Sequence, residues 1–361
     1  MKNRWLCMAC VLPLSLLVAC NSESSAIQVS SETVSQKQID TITSNINKLY
    51  PEATPEQKQK AAEVVVRAIE NMVFIEGGSF DMGDFKMDCD FPTKSENRLD
   101  WSPDAQCFNF ATNLSGAQYL HKVTLDSYSM SKYETSFMDM EWMRQINELP
   151  VAAGIITSYK PLKDKQMLRT DEEYKRIVDS EAKHNKAAST QSWQEAKDYC
   201  LWLGKVSTLS FDLPTEAQWE YAARSRGQHY YYATNDGYRS LSEDQYFDVN
   251  LDKYVQVSPS IVNSSIKEEK YIGYWPANPL GIFGMNNNIS EWVNDWYEKD
   301  YYLESPEQNP QGPKVGKLKV IRDGAGNVMT FDRRGEQPNQ DIYSSSFSFR
   351  CSIQPQSIIT Y

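Results

Sequence analysis

Leu213-Pro214-Thr215-Glu216-Ala217-Gln218-Trp219-Glu220-Tyr221-Ala222-Ala223-Arg224 is the stretch on which the reading of this chain turns. Pro214 ends one segment, and Thr215 offers a side-chain oxygen that can cap the next, so a helix is expected to open at Glu216. Within it Trp219, Tyr221 and Ala222 are expected to pack inward. Just upstream, Ser192-Trp193 and Ala196 through Tyr199-Cys200-Leu201-Trp202 mark the face of another helix. Further out, Gly77-Gly78 permits a tight turn between apolar runs, and the alternation of Val123, Leu125 and Tyr128 suits a half-buried strand. Short strands interleaved with a few helices make an α+β chain.

The composition sets bounds on function. At about 150 residues per domain, 361 residues suggest two domains. Hydrophobic residues at 40% and charged residues at 24% describe a globular chain, and 21 Tyr with 9 Trp suit a loop-rich fold whose core is filled by amphipathic rings. The net charge of −11 excludes a nucleic-acid partner, because phosphate binding needs a concentrated basic face.

At the N-terminus, Lys2 and Arg4 precede an apolar stretch from Trp5 to Val18, too short to span a bilayer, which ends in Leu17-Val18-Ala19-Cys20. This resembles the lipobox of bacterial lipoproteins. The resemblance implies a signal peptide over residues 1–19 and acylation of Cys20. Losing Lys2 and Arg4 moves the net charge from −11 to −13. Asn21 and Ser22 follow where lipoproteins retained in the inner membrane often carry Asp, so the expected location is the periplasmic face of the outer membrane. Residues 20–53 are polar and read as a flexible tether with a reach of about 30–35 Å. Thr54, Pro55 and Gln57 then form a capping box at the start of an N-terminal helix over residues 54–71, with Ala61, Val65, Ala68 and Met72 on one face.

Cys7 and Cys10 leave with the signal, so the exported domain keeps Cys89, Cys107, Cys200 and Cys351 beyond the lipidated Cys20. An even number in an oxidising compartment suggests two disulfides, for which three pairings exist. Pairing Cys89 with Cys107 closes a short loop and leaves Cys200 with Cys351.

From Met72 onward six blocks resemble, in order, the formylglycine-generating enzyme or sulfatase-modifying-factor family, whose fold is related to the C-type lectins. They are Met72 to Gly83; His121 to Leu125 continuing to Lys132-Tyr133-Glu134-Thr135; Ser192 to Trp202; Leu213 to Arg224, with Asp212 where an arginine is usual; Gly281 to Met285 continuing through Ser290-Glu291-Trp292 to Tyr297; and Phe349-Arg350-Cys351. The resemblance implies a C-type-lectin-like formylglycine-generating-enzyme fold. It reduces the two expected domains to one large loop-rich domain over residues 72–353, followed by a tail over 354–361. It also implies a disulfide between Cys200 and Cys351, where many members carry one.

The same resemblance tests for activity. Active oxidases of the family carry an R-G-G-S-aromatic motif followed by two cysteines five positions apart, which bind copper; soft Cu(I) prefers paired thiolates. Here the stretch reads Arg322-Asp323-Gly324-Ala325-Gly326-Asn327-Val328-Met329-Thr330-Phe331-Asp332-Arg333, with Val328 and Arg333 at the cysteine positions. No catalytic pair and no copper are therefore expected, and Met329 reads as packing. The family's iron-dependent sulfoxide synthases use histidines, but His121, His184 and His229 are scattered and no H-x-x-x-H occurs. Many members bind structural calcium in the fifth block; the matching positions are Asn287, Ile289 and Glu291, with Gly284 in place of a side-chain ligand and Asn250-Leu251 a weaker second candidate. Lectin-like fragments, Gln337-Pro338-Asn339 and Trp292-Val293-Asn294-Asp295, stand in the wrong order for sugar binding.

What is particular to the chain is three insertions, Phe85 to Gly116, Asn147 to Ala188 and Asp323 to Ser346. Long loops on a rigid scaffold are where recognition usually resides. The expectation is a lipid-anchored, catalytically inactive relative that binds a periplasmic or envelope protein. Relatives of this kind, in type VI secretion and beside secreted toxins, imply a signalling component or an immunity protein. The alternative is a metal-dependent oxidase of the formylglycine-generating or sulfoxide-synthase type with relocated ligands.

Overall fold

The computed structural model describes residues 26–85, 115–151, 168–190, 192–235, 237, 245–248, 253–256, 271–274, 277–286, 289–322, 329–339 and 347–354. Its helices are α1 (Gln36–Leu49), α2 (Pro55–Glu70), α3 (Phe137–Ile146), α4 (Glu172–His184), α5 (Trp193–Ser207) and α6 (Glu216–Ala223). The strands are β1 (Met72–Ile75), β2 (Gly78–Met82), β3 (His121–Leu125), β4 (Tyr128–Ser131), β5 (Phe211–Asp212), β6 (Gln245–Asp248), β7 (Lys253–Gln256), β8 (Glu291–Tyr297), β9 (Leu318–Arg322), β10 (Arg333–Glu336), β11 (Ser348–Phe349) and β12 (Ser352–Ile353). They assemble into sheets of order β1-β4-β12-β5, β10-β9-β8-β11, β2-β3 and β6-β7.

The β8–β9 pair explains why one domain suffices for this length. Side chains alternate across a strand, so neighbouring residues face opposite sides. Trp292 and Ile321 pack with helices α1, α2, α3 and α5 on one side. Val293 and Val320 pack with α6 and the β2–β3 hairpin on the other. A sheet apolar on both faces is thus the shared wall of two cores. Cys200 in α5 is bonded to Cys351 between β11 and β12, with Cα atoms 5.6 Å apart, so the implied disulfide is present. Cys20, Cys89 and Cys107 lie outside the described residues.

The capping chemistry acts as the local sequence indicates. Thr54 caps α2 and Thr215 caps α6, each in a reciprocal box with the glutamine three residues on, Gln57 and Gln218. The tether expectation needs correction. Residues 36–49 form α1, in which Ile39, Ile42 and Ile46 make a buried stripe among polar neighbours. Gln38 Nε2 and Asn45 Nδ2 donate to the carbonyls of Ser207 and Val206 at 2.6 and 2.8 Å. Those carbonyls belong to the last turn of α5, where no partner exists within the helix. A polar composition concealed a helix whose amides cap its neighbour.

Candidate functional site

Helix α6 carries Glu216 and Glu220 one turn apart, with Arg224 one turn further. All three are buried, and Arg322 of β9 and Arg333 of β10 close over them. Arg333 grips Glu216 with two parallel bonds, Nε to Oε1 at 2.6 Å and Nη2 to Oε2 at 2.8 Å, while its Nη1 donates to the Glu298 carbonyl at 3.1 Å. Arg322 bridges the carboxylates, Nη1 to Glu216 Oε1 at 2.9 Å and Nη2 to Glu220 Oε2 at 3.0 Å, and also donates to the Thr330 carbonyl. Arg224 Nη1 donates to Glu220 Oε1 at 2.8 Å, and the Gly83 amide reaches the same oxygen at 2.9 Å. Tyr302 donates to Glu216 and lies under Arg333, whose guanidinium carbon is 4.3 Å from the ring centre. Burial alone would raise the Glu216 carboxyl; Arg333 and Arg322 outweigh it and hold Glu216 below the usual carboxylate range.

Arg333, aligned in the sequence analysis with one of the family's cysteines, is a structural cation with every nitrogen engaged. Val328, aligned with the other, lies outside the described residues. Met329 packs with Ala117, Tyr231, Tyr232 and Phe331, consistent with the packing role read from the sequence.

A second buried ion pair occupies the expected calcium region. Glu291 Oε1 accepts from Arg350 Nε and Nη2 at 3.1 and 2.6 Å, and Oε2 accepts from Arg350 Nε at 2.8 Å and from the Trp219 indole at 2.9 Å. The single Arg350 Nε–H is shared between the two oxygens, so three donors converge on the carboxylate. Gly284 adopts φ +70°, a left-handed conformation that strains other residues, and a Cβ there would press on the Glu134 carboxylate. Ile289 is buried, and Asn287, Asn250 and Leu251 lie outside the described residues. At Glu291, one of the positions expected for calcium, Arg350 supplies a positive charge. Among the described residues no group of three or more His, Cys, Asp or Glu side chains is placed to hold a metal ion. His121 packs beside Tyr302, with ring centres 4.4 Å apart, and His229 stacks on Phe85 at 4.6 Å.

Between these clusters, Lys319 is sandwiched by Trp193 and Trp296, its Nζ 3.7 and 3.9 Å from the two ring centres, and donates to the Asn294 carbonyl at 2.8 Å. Burial lowers the Lys319 ammonium to about 8, against the pull of Asp295. Asp295 accepts from the Glu216 amide at 2.8 Å, and burial together with the Glu216 charge pushes its carboxyl up to about 7. The lectin-like Trp292 to Asp295 fragment is thus spent on the core. Asp212, the departure from the family block, pairs with Lys197 at 2.6 Å.

The sequence reading, which took this block for core and capping positions, assigned no role to Glu220 or Arg224. The four-residue spacing of Glu216, Glu220 and Arg224, which puts three charges on one face of an otherwise apolar helix, was the available signal.

The fold and its internally neutralised centre define a single α+β domain built to hold buried ion pairs in place. The sulfatase-modifying factor enzyme 1-like domain matches residues 57–355, and the chain belongs to that family. It is 33% identical over 176 residues to the formylglycine-generating enzyme of Streptomyces coelicolor, covering 45% of this chain and 50% of that protein. It is 27% identical over 286 residues to the serine/threonine-protein kinase pkn1 of Chlamydia caviae, covering 78% of this chain and 37% of that one. The chain thus spans half or less of the length of these curated relatives. Among solved structures it resembles PvdO from Pseudomonas aeruginosa, with a TM-score of 0.49 and 18% identity over 79% of this chain and 94% of the other.

Proposed function

We propose that this chain is a catalytically inactive member of its family that binds a protein of the bacterial cell envelope, held at the periplasmic face of the outer membrane by lipid on Cys20. The observation that carries the inactive reading is Arg333. The family's oxidases hold copper on two thiolates, and here one of those positions bears a guanidinium fixed on Glu216. A buried cation at that position repels a metal ion and offers it no lone pair. Cys200 and Cys351 are joined to each other and supply no thiolate. The binding role is supported by an intact scaffold bearing three long insertions, the usual seat of recognition on a rigid frame. A signalling component or an immunity protein, including one linked to type VI secretion, fits such a module.

The test is to incubate the purified protein with a Cys-x-Pro-x-Arg peptide, copper and oxygen, and to follow the peptide by mass spectrometry. The expected result is unmodified peptide. Formylglycine formed by the metal-loaded protein, and lost on changing Val328 or Met329, overturns the inactive reading. Affinity capture from envelope extract, with the three insertions present and then deleted, identifies the partner and the loops that hold it.

A further inference from the structure

The last turn of α2, the first turn of α3 and the middle of α5 leave a cleft of about 220 Å³, none of whose lining residues belongs to the charge cluster on α6. Tyr199 of α5 lines it with 2% of its surface exposed. Its ring packs against Trp202 and Phe349, with centres 5.9 and 5.5 Å away, so the hydroxyl is the end that meets the cleft. Among the described residues that hydroxyl has no hydrogen-bond partner. Burial pushes it well above its ordinary value, Asp139 adding to the rise and Arg67 opposing it, so both charges act on it. A buried hydroxyl whose hydrogen bond is unmade costs free energy, and such groups in folded proteins are ordinarily matched by a partner.

Arg67 of α2 and Asp139 of α3 line the same cleft and pair through Nη2 and Oδ1. The pair does not exhaust either side chain. Arg67 Nε and Nη1 and Asp139 Oδ2 make no hydrogen bond among the described residues, so donors and an acceptor stand side by side. Glu134 also lines the cleft, with Arg350 Nη2 3.9 Å from its carboxylate. A lone anion meets two carboxylates here, and a lone cation meets Arg67. A ligand that carries both charges on neighbouring atoms satisfies each, its carboxylate taking charge-assisted bonds from the guanidinium. Ala68 and Leu203 add an apolar stretch of wall. The volume falls below the roughly 300–1,000 Å³ of sites for drug-sized ligands, so the cleft has room for one small molecule.

We infer that this cleft binds an aliphatic α-amino acid, with its carboxylate on Arg67, its ammonium on Asp139, a hydrogen bond to the Tyr199 hydroxyl and its side chain against Ala68 and Leu203. Neither lipid on Cys20 nor the absent cysteine pair enters into this assignment.

The experiment is calorimetric titration of the full-length protein in detergent with glycine, L-alanine, L-valine and L-leucine. Isovalerate and isobutylamine, which are valine without its amine and without its carboxylate, are titrated alongside, with D-glucose as an uncharged polyol. The expected result is saturable binding of at least one amino acid, about ten-fold or more tighter than any of these three. No heat from any of the four amino acids at about 10 mM overturns the assignment. Equal affinity for a single-charge analogue or for glucose overturns the requirement for both charges. Tyr199→Phe keeps the ring and removes only the hydroxyl. It is expected to leave the thermal midpoint without ligand unchanged or raised, and to weaken amino-acid binding about ten-fold. A lowered midpoint without ligand shows that the hydroxyl is already satisfied within the chain, and overturns its role. Amino-acid affinity that survives both Tyr199→Phe and Asp139→Asn places the ligand elsewhere and overturns the cleft as its site.

Discussion

The guanidinium of Arg350 lies edge-on across the carboxylate of Glu291, Nη2 to Oε1 at 2.6 Å and Nε to Oε2 at 2.8 Å, and neither side chain is exposed. Removing one partner of such a pair strands the other charge without water. Arg350→Met is expected to lower stability by about 3–5 kcal/mol, read as a shift of the urea midpoint at constant slope. A loss below about 1 kcal/mol would mean that the pair contributes little to the fold.

The same geometry predicts indifference to calcium. Thermal unfolding in millimolar calcium and in excess chelator should give the same midpoint, because the Arg350 guanidinium spans both oxygens of Glu291. A rise of several degrees with calcium would show that a ligand set exists despite Arg350.

Arg333→Cys, alone or with Val328→Cys, puts thiols at the positions aligned in the sequence analysis with the family's cysteines. The variant is expected to lose about 3 kcal/mol, at the low end for a broken buried pair because Arg322 still faces Glu216. It is expected to yield no formylglycine in the peptide assay. Turnover by the double variant would show that two cysteines suffice for the reaction on this scaffold.

Asp295 makes stability depend on pH in a direction opposite to that of most carboxylates. Its folded value of about 7 lies above its ordinary value, so between about pH 4 and 7 the folded state holds a proton that the unfolded state has released. The stabilisation from this group is full below about pH 4 and is lost as pH rises toward 7, a change on the order of 2–4 kcal/mol. Asp295→Asn should flatten that segment of the stability profile measured by urea unfolding across the range; an unchanged slope would remove Asp295 as its source.

The disulfide joins residues 151 positions apart. On the loop-entropy model, closing so long a loop is worth about 5 kcal/mol. Cys200→Ser with Cys351→Ser should therefore unfold at markedly lower urea, and a strong reductant should bring the wild type to the same midpoint. Coincident curves for wild type and double variant would show that strain or residual structure cancels the constraint.

What could be read from the sequence was what is local. The caps at Thr54 and Thr215 depend on residues three positions apart, and the inward set Trp219, Tyr221 and Ala222 follows from helical spacing. Helix α1 escaped notice because its three isoleucines are diluted by Gln, Thr, Ser and Asn, and because it is completed by the open carbonyls of α5, more than 150 residues away. The ion pair of Glu291 escaped notice for a related reason: its partner Arg350 sits in another block, 59 residues on. The central charge cluster joins α6 to strands about 100 residues later, a pairing that only the folded chain brings together.

Arg333 also governs how a paired-thiolate site could be introduced here. A thiol at that position leaves Glu216 facing one arginine instead of two, so such a site has to remove or re-pair a buried carboxylate at the same time. Each single step passes through a chain with unbalanced charge in its core. A pair of sulfur ligands at this place is thus separated from the present chain by a stability barrier, which the cysteine substitutions do not by themselves cross.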